Sequence, residues 1–144
     1  MIALGSDHGG FELKEAIRER LTAAGYEVRD FGCYDAVSID YPDKALEVAR
    51  AVAAGEYPCG ILFCGTGIGV SIAANKVKGI RAALCSDTFS ARMAKMHNTA
   101  NIITLGGRVT GVELAWEMVQ AYLNAEFLGG RHQNRLDKIA AAEQ

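Results

Sequence analysis

The sequence predicts an α/β fold: a parallel sheet with helices packed on both faces. Two observations carry this reading. Five short apolar runs, each closed by glycine or small polar residues, alternate with segments whose apolar residues recur at helical spacing. The connections between them are short, and no linker or low-complexity stretch divides the chain, so the pattern reads as successive strand–helix units. A chain of 144 residues is long enough for one such domain with its own core, taken as residues 1–144.

The elements follow in order. Residues 1–5, Met-Ile-Ala-Leu-Gly, read as the first strand. Residues 11–24 place Leu13, Ile17 and Leu21 on one helical face with charges opposite, and Gly25 supplies the stop. Tyr26 to Phe31 read as a second strand. Asp40-Tyr41-Pro42-Asp43 has the form of a helix entry, with Asp40 as cap and Pro42 in the first turn. The helix it opens buries Ala45, Val48, Ala49 and Val52. Gly60 to Cys64 is the third strand, and Ile68 to Asn75 continues as a helix of small residues. Ile80 to Cys85 is the fourth strand, residues 88–96 a helix, and Asn101 to Leu105 the fifth strand. Thr110 and Glu113 have capping-box spacing, opening a helix with Val112, Ala115, Val119 and Leu123 on one face. Residues 131–142 form an extra C-terminal helix. Met93, Met96 and the lone Trp116 fall at core spacings and read as packing.

Composition narrows the function. Half the residues are hydrophobic and 22% are charged, which suits a soluble globular protein. The formal net charge of -2 gives no general attraction to nucleic acid or an acidic membrane, so any anion site is local. No apolar run approaches a membrane span. Cys33, Cys59, Cys64 and Cys85 form no CxxC pair and lack histidines at zinc-finger spacing, so no metal is expected. The first residues read as a strand and not as a secretory leader, so the expectation is a cytoplasmic protein with reduced thiols.

In an open parallel sheet, ligands bind outside the carboxyl ends of the strands. The first such loop is Gly5-Ser6-Asp7-His8-Gly9-Gly10. Two readings fit it: a polar cluster at a helix N-terminus suited to a hydroxylated anion, or a tight turn with Asp7 as helix cap. The loop lacks the dinucleotide pattern G-x-G-x-x-G, and Asp7 would repel a pyrophosphate.

After the third strand comes Cys64-Gly65-Thr66-Gly67-Ile68-Gly69. Its alternating glycines let backbone N–H groups approach a ligand, and the following helix adds its positive end. Such a loop is an anion hole able to hold an enediolate oxygen. Cys64 stands at its mouth, where a thiol is activated as nucleophile or base. The competing reading is a buried small hydrophobe, the commonest fate of a free cysteine. A phosphatase loop would close with an arginine about six positions on, where this chain has the apolar Val70. Cys33, Cys59 and Cys85 lack any such context and read as structural.

Ser86-Asp87-Thr88 caps a helix that ends in Lys95-Met96-His97-Asn98. His97 is either a dipole partner or a general acid/base. Gly106-Gly107-Arg108 follows the fifth strand. Arg131 and Arg135 open the last helix four residues apart, either as a phosphate clamp or as a solvated basic face.

Together these motifs resemble the type B ribose-5-phosphate isomerase family. The resemblance rests on Gly5-Ser6-Asp7-His8, Asp40-Tyr41-Pro42, Cys64-Gly65-Thr66-Gly67-Ile68-Gly69, Ala74-Asn75-Lys76, His97-Asn98, Gly106-Gly107-Arg108 and Gly129-Gly130-Arg131-His132-Gln133-x-Arg135, in order along nearly the whole chain. It implies a Rossmann-like three-layer αβα fold with a five-stranded parallel sheet. It also implies a homodimer or dimer of dimers, an active site built from both subunits, and no metal or organic cofactor. The family has a cysteine version and a glutamate version of its base. Cys64 with Val70 resembles the cysteine version. Galactose-6-phosphate isomerase subunits share the glycine loop but lack the full set of His8, His97 and the Arg131–Arg135 tail.

By the same resemblance, the reaction interconverts ribose 5-phosphate and ribulose 5-phosphate, a pentose phosphate step. His97 opens the sugar ring, with Thr66 and Asp7 bonding the sugar. Cys64 moves the proton, and the N–H groups of Gly65, Gly67, Ile68 and Gly69 hold the enediolate. His8, Arg108, Arg131 and Arg135 hold the phosphate, and Tyr41 and Asn98 line the sugar. The rivals are an isomerase of six-carbon sugar phosphates, such as allose 6-phosphate or galactose 6-phosphate, and a sugar-phosphate sensor without turnover.

Overall fold

The structure is a computed structural model that describes residues 1–143; Gln144, the last residue of the expected domain, lies outside them. The elements are β1 (Ile2–Ser6), α1 (Phe11–Ala23), β2 (Val28–Asp30), α2 (Tyr41–Ala53), β3 (Cys59–Cys64), α3 (Ile68–Ala74), β4 (Ala82–Leu84), α4 (Thr88–Met96), β5 (Ile102–Gly106), α5 (Val112–Asn124) and α6 (Arg131–Ala141). The five strands run parallel in the order β2-β1-β3-β5-β4, with β4 at one edge.

Strand parity sorts the side chains onto two faces. Ile2, Leu4, Ile61, Phe63, Ile103 and Leu105 meet Leu13, Ile17 and Leu21 of α1, Ala91 and Ala94 of α4, and Ala115, Met118, Val119 and Tyr122 of α5. The alternate residues Ala3, Leu62, Cys64 and Ile102 meet Ala45, Val48, Ala49 and Val52 of α2 and Val70 and Ala74 of α3. The expected αβα layering is the one observed. Leu13, Ile17 and Leu21 are buried, and each contributes about 2 kcal/mol in apolar transfer.

Three local expectations differ from the structure. Strand β2 is shorter than expected, because the Tyr26 N–H bonds Leu21 O and closes α1 instead. Strand β4 is shorter too: the Ile80 N–H bonds Val77 O, and the Arg81 N–H bonds the Asn101 side chain at 2.8 Å. Thr110 does not cap α5. It is buried, its N–H bonds Gly106 O, and Gly111 holds the cap position. Glu113 forms no capping box because its carboxylate pairs with Arg20 of α1 at 2.6 Å. Asp40 stands at the N-cap of α2 as expected, though its side chain makes no capping bond.

Helix α6 meets the rest of the chain beside the turn ahead of β4 and the end of α4. Its Leu136 is buried, and Glu143 just beyond it accepts a hydrogen bond from the Gly79 N–H at 2.7 Å, ahead of β4.

Candidate active site

The sheet order places β1 and β3 side by side at the point where the chain reverses its direction of travel across the sheet. The loops leaving β1, β3 and β5 close on one another there. The Asp7 N–H bonds Phe63 O at 3.3 Å, the Gly107 N–H bonds Cys64 O at 2.8 Å, and the Arg108 N–H bonds Gly65 O at 2.9 Å. The Arg108 side chain lies against Gly65.

Cys64 ends β3 on the α2/α3 face. It is 5% exposed, so the sulfur forms the floor of the glycine loop and not its open mouth. The reason is Gly67, whose φ of 82° turns the chain back over the sulfur, a conformation that favours glycine. The Gly67 N–H then donates to Cys64 Sγ at 3.1 Å and fixes the sulfur's direction. The Ile68 N–H donates to Thr66 Oγ1 at 3.2 Å. Two of the amides expected to face an enediolate therefore have partners inside the loop. Gly65 and Gly69 remain beside them, and the first turn of α3 has N–H groups without intrahelical partners. Gly69 is also where Tyr41 sits: a Cβ there would fall 2.5 Å from the tyrosine ring. Tyr41 is thereby brought onto the anion loop from the start of α2.

Sequence reasoning missed Thr104. It is fully buried on β5, and its hydroxyl donates to Gly67 O at 2.8 Å, tying the glycine loop to the next strand. Buried polar groups find partners, so a threonine inside an apolar strand was the available signal.

In the loop after β1, Asp7 accepts hydrogen bonds from the N–H groups of Gly9 and Gly10 at 2.9 and 3.1 Å. The aspartate thus builds the turn, while Gly10 holds the N-cap of α1 in place of Asp7. His8 Nδ1 accepts from the Ile39 N–H at 3.2 Å. In the neutral ring this leaves the proton on Nε2, which makes that nitrogen the donor. The segment carrying Ile39 is anchored by a group that sequence reasoning also missed. Lys14 is fully buried, and its ammonium bonds both Asp30 oxygens and Cys33 O at 2.7 Å.

The remaining candidates lie elsewhere. His97 caps the C-terminus of α4 and precedes β5, whereas Cys64 ends β3 and pairs in register with Gly106, the last residue of β5. The length of β5 alone, about 13 Å, separates the two levels. His97 is stacked on His132 of α6, with ring centroids 4.2 Å apart, and Leu128 bonds Met96 O just before that helix. Arg131 and Arg135 are exposed on the same helix. Hence Asp7, His8, Tyr41, Cys64, Thr66, Ile68 and Arg108 gather at the carboxyl edge of the sheet, and His97, Asn98, Arg131 and Arg135 at its amino edge. Within one chain the two groups do not meet. The His132 imidazole is held below its usual range, first by loss of solvent and then by the charges of His97, Arg131 and Arg135.

Burial pushes the thiols of Cys59 and Cys85 up, that of Cys85 to about 11 with Asp87 adding to it. Both belong to the core cluster on the sheet face opposite Cys64. Among the described residues, no group of three or more His, Cys, Asp or Glu side chains is placed to hold a metal ion. Among them also, no helix is long and apolar enough to cross a membrane.

Known proteins resemble the chain in sequence and fold. The profile of the ribose/galactose isomerase family matches residues 2–139. Ribose-5-phosphate isomerase B of Escherichia coli (strain K12) is 51% identical, over 99% of this chain and 96% of that protein. The solved structure of Clostridium thermocellum ribose-5-phosphate isomerase B has a TM-score of 0.97 at 55% identity, covering 99% of this chain and 96% of that one. The Mycoplasma genitalium enzyme, solved with bound ribulose-5-phosphate, has a TM-score of 0.94 at 43% identity, covering 99% and 95% of the two chains. The chain therefore belongs to the ribose/galactose isomerase family.

Proposed function

We propose that this chain is an aldose–ketose isomerase that interconverts D-ribose 5-phosphate and D-ribulose 5-phosphate, with Cys64 as the base. The carrying observation is the sulfur itself, held by the Gly67 N–H within a loop of amides at the convergence of three strand ends. The Cys64 thiolate takes the proton from carbon two of the open aldose. The electron pair forms the carbon one–carbon two double bond, and the carbonyl oxygen takes up negative charge. Amides of the glycine loop stabilise that oxygen; one such donor is worth about a hundredfold or more in rate. The proton of the carbon-two hydroxyl passes to the oxygen on carbon one, and delivery of the proton from sulfur to carbon one then gives the ketose and restores the thiolate. Each step draws only on residues of this protein.

Ring opening precedes this step and belongs to His97, which moves a proton between the ring oxygen and the hydroxyl on carbon one, with Thr66 and Asp7 bonding the sugar. His97 lies at the opposite edge of its own sheet from Cys64, which supports a site completed by a second copy of the chain. A homodimer, or a pair of such dimers, brings His97, Asn98, Arg131 and Arg135 of one subunit to Cys64, His8, Tyr41 and Arg108 of the other. The edge strand β4 supports the same reading. A groove of about 650 Å³ runs along it, bordered by Leu84, Phe89, Ile139 and Asn98. The exposed apolar side chains Leu84, Phe89 and Ile139 there suit burial against a partner. Asn75 bonds both the N–H and the C=O of Ala82, at 2.8 and 2.9 Å, so the partner packs by side chains and not by extending the sheet at that residue.

The phosphate, remote from the reacting carbons, is held by His8, Arg108, Arg131 and Arg135, and its binding positions the sugar for proton transfer. The balanced net charge of -2 and the four unpaired cysteines fit a cytoplasmic metabolic enzyme that acts on a small sugar phosphate. The deciding experiment is turnover of ribose 5-phosphate by the purified protein in the presence of a chelator, beside allose 6-phosphate and galactose 6-phosphate. Turnover confined to a six-carbon substrate reverses the substrate reading. Binding without turnover of any of them makes the protein a sensor.

A further inference from the structure

We infer that Arg81 is a positioning residue for His97, acting through the backbone of the turn that carries the histidine. Arg81 lies just before β4, and its guanidinium forks onto two consecutive carbonyls: Nε donates to Asn98 O and Nη2 to Thr99 O, both at 2.9 Å. These carbonyls follow directly after His97. Thr99 between them has a φ of 44°, the one non-glycine residue with positive φ among the described residues. A β-branched residue avoids that region unless its surroundings hold it there, and such strain gathers at functional sites. The turn is closed onto α4 by its backbone, Thr99 N–H to Lys95 O at 3.2 Å and Ala100 N–H to Ala94 O at 2.9 Å, and is held further from two sides. On the core side the buried Tyr122 hydroxyl donates to Ala100 O. On the outer side stands Arg81, whose own N–H is fixed by Asn101 Oδ1 at 2.8 Å. A planar guanidinium presents its donors in a fixed fork that matches two adjacent acceptors, whereas an ammonium on its flexible stem has no such fixed geometry.

This turn needs such a hold because of what it carries. His97 is the C-cap of α4: its own N–H still bonds Met93 O at 2.8 Å, while the Asn98 and Thr99 carbonyls that follow lie beyond the helix. Small displacements of a proton-transfer group cost a large share of its effect. Arg81 therefore sets where His97 and Asn98 project, without touching substrate.

The inference rests on the reading of His97 as the ring-opening group, and the experiment separates the two. Ribulose 5-phosphate carries phosphorus on its C5 oxygen and does not close a five-membered ring. Exchange of its C1 hydrogen with solvent deuterium therefore reports the Cys64 proton transfer without ring opening. Arg81→Met is expected to lower kcat on ribose 5-phosphate by roughly tenfold to a hundredfold, while C1 exchange and subunit mass stay native. Arg81→Lys is expected to recover part of the loss. Native kcat in Arg81→Met overturns the inference, as does an equal loss of turnover and exchange. His97→Ala is run beside it. If His97→Ala also keeps native turnover, the ring-opening reading falls and takes the inference with it; if only Arg81→Met does, the inference falls alone. Should Arg81→Met fail to fold or assemble, Arg81→Lys decides by the same two readouts: selective loss of ribose 5-phosphate turnover supports the inference, and native turnover overturns it.

Discussion

The Gly67 N–H meets the sulfur of Cys64 at 3.1 Å, across a turn that the positive φ of Gly67 closes over the strand end. The sulfur is thereby fixed in direction while it stays almost wholly buried. A group held this way serves a proton transfer, which needs alignment more than exposure. Cys64→Ala should therefore lower kcat by about a thousandfold or more and leave sugar-phosphate binding near native, because the phosphate contacts proposed for His8, Arg108, Arg131 and Arg135 do not involve it. Steady-state turnover paired with calorimetric binding checks both halves. Near-native turnover would remove Cys64 as the base.

A second prediction concerns the buried ammonium of Lys14. It joins α1 to Asp30 at the end of β2 and to Cys33 O, with the rings of Phe11 and Tyr34 within 5.6 Å. Breaking one partner of such a pair leaves an uncompensated charge. Lys14→Met should cost about 3 kcal/mol, read from urea unfolding. Lys14→Met with Asp30→Asn should cost less than the single change. The asparagine leaves no stranded charge and still accepts from the Gly32 N–H, which bonds Asp30 Oδ1 at 2.8 Å. Equal destabilisation of the two variants would show that charge pairing is not what Lys14 contributes.

These two residues mark how far the sequence could be read. The glycine loop after Cys64 was legible as a close-packed turn because alternating glycines mark places where backbone needs room, as Gly67 over the sulfur and Gly69 against Tyr41 do. Leu13, Ile17 and Leu21 were legible because helical period alone put them on the face that is now buried. Lys14, one residue beyond Leu13, reads as part of the charged face. Its burial depends on Asp30, sixteen residues away, and no local pattern reports such a pairing. Glu113 failed as a cap for the same reason: its partner Arg20 is 93 residues distant. The separation of His97 from Cys64 follows from topology. A residue that precedes a strand and one that ends another strand of a parallel sheet lie at opposite edges, a relation the expected parallel sheet already implies and the pairing of β3 with β5 makes concrete.

The stacked imidazoles give a prediction about pH. His132 is held below its ordinary value of 6.5 by lost solvent first and then by His97, Arg131 and Arg135. The sign follows from proton uptake. Above that ordinary value, His132 is neutral in both the folded and the unfolded chain and contributes nothing to pH dependence. As pH falls below it, the unfolded chain takes the proton first, so folding stability declines. His132→Asn should reduce this decline. Urea midpoints at about pH 7.5 and about pH 5.5 check it, with the difference smaller in the variant. An unchanged difference would assign the acid sensitivity to other groups.

The two edges of the sheet yield the last prediction. If each site takes Cys64 from one subunit and His97 from the other, a heterodimer of Cys64→Ala and His97→Ala chains holds one site with both changes and one with neither. Each homodimer is inactive, since every site in it lacks one group. Random reassociation of equal amounts makes half the dimers mixed, and each mixed dimer restores one of its two sites. Activity should therefore return to about a quarter of the native value on unfolding and refolding the variants together. Refolding them separately and then mixing should return none while the dimers do not exchange. If each chain built its own complete site, both variants would stay inactive in every combination. Recovery after joint refolding alone thus reports the shared site directly, without a ligand-bound structure.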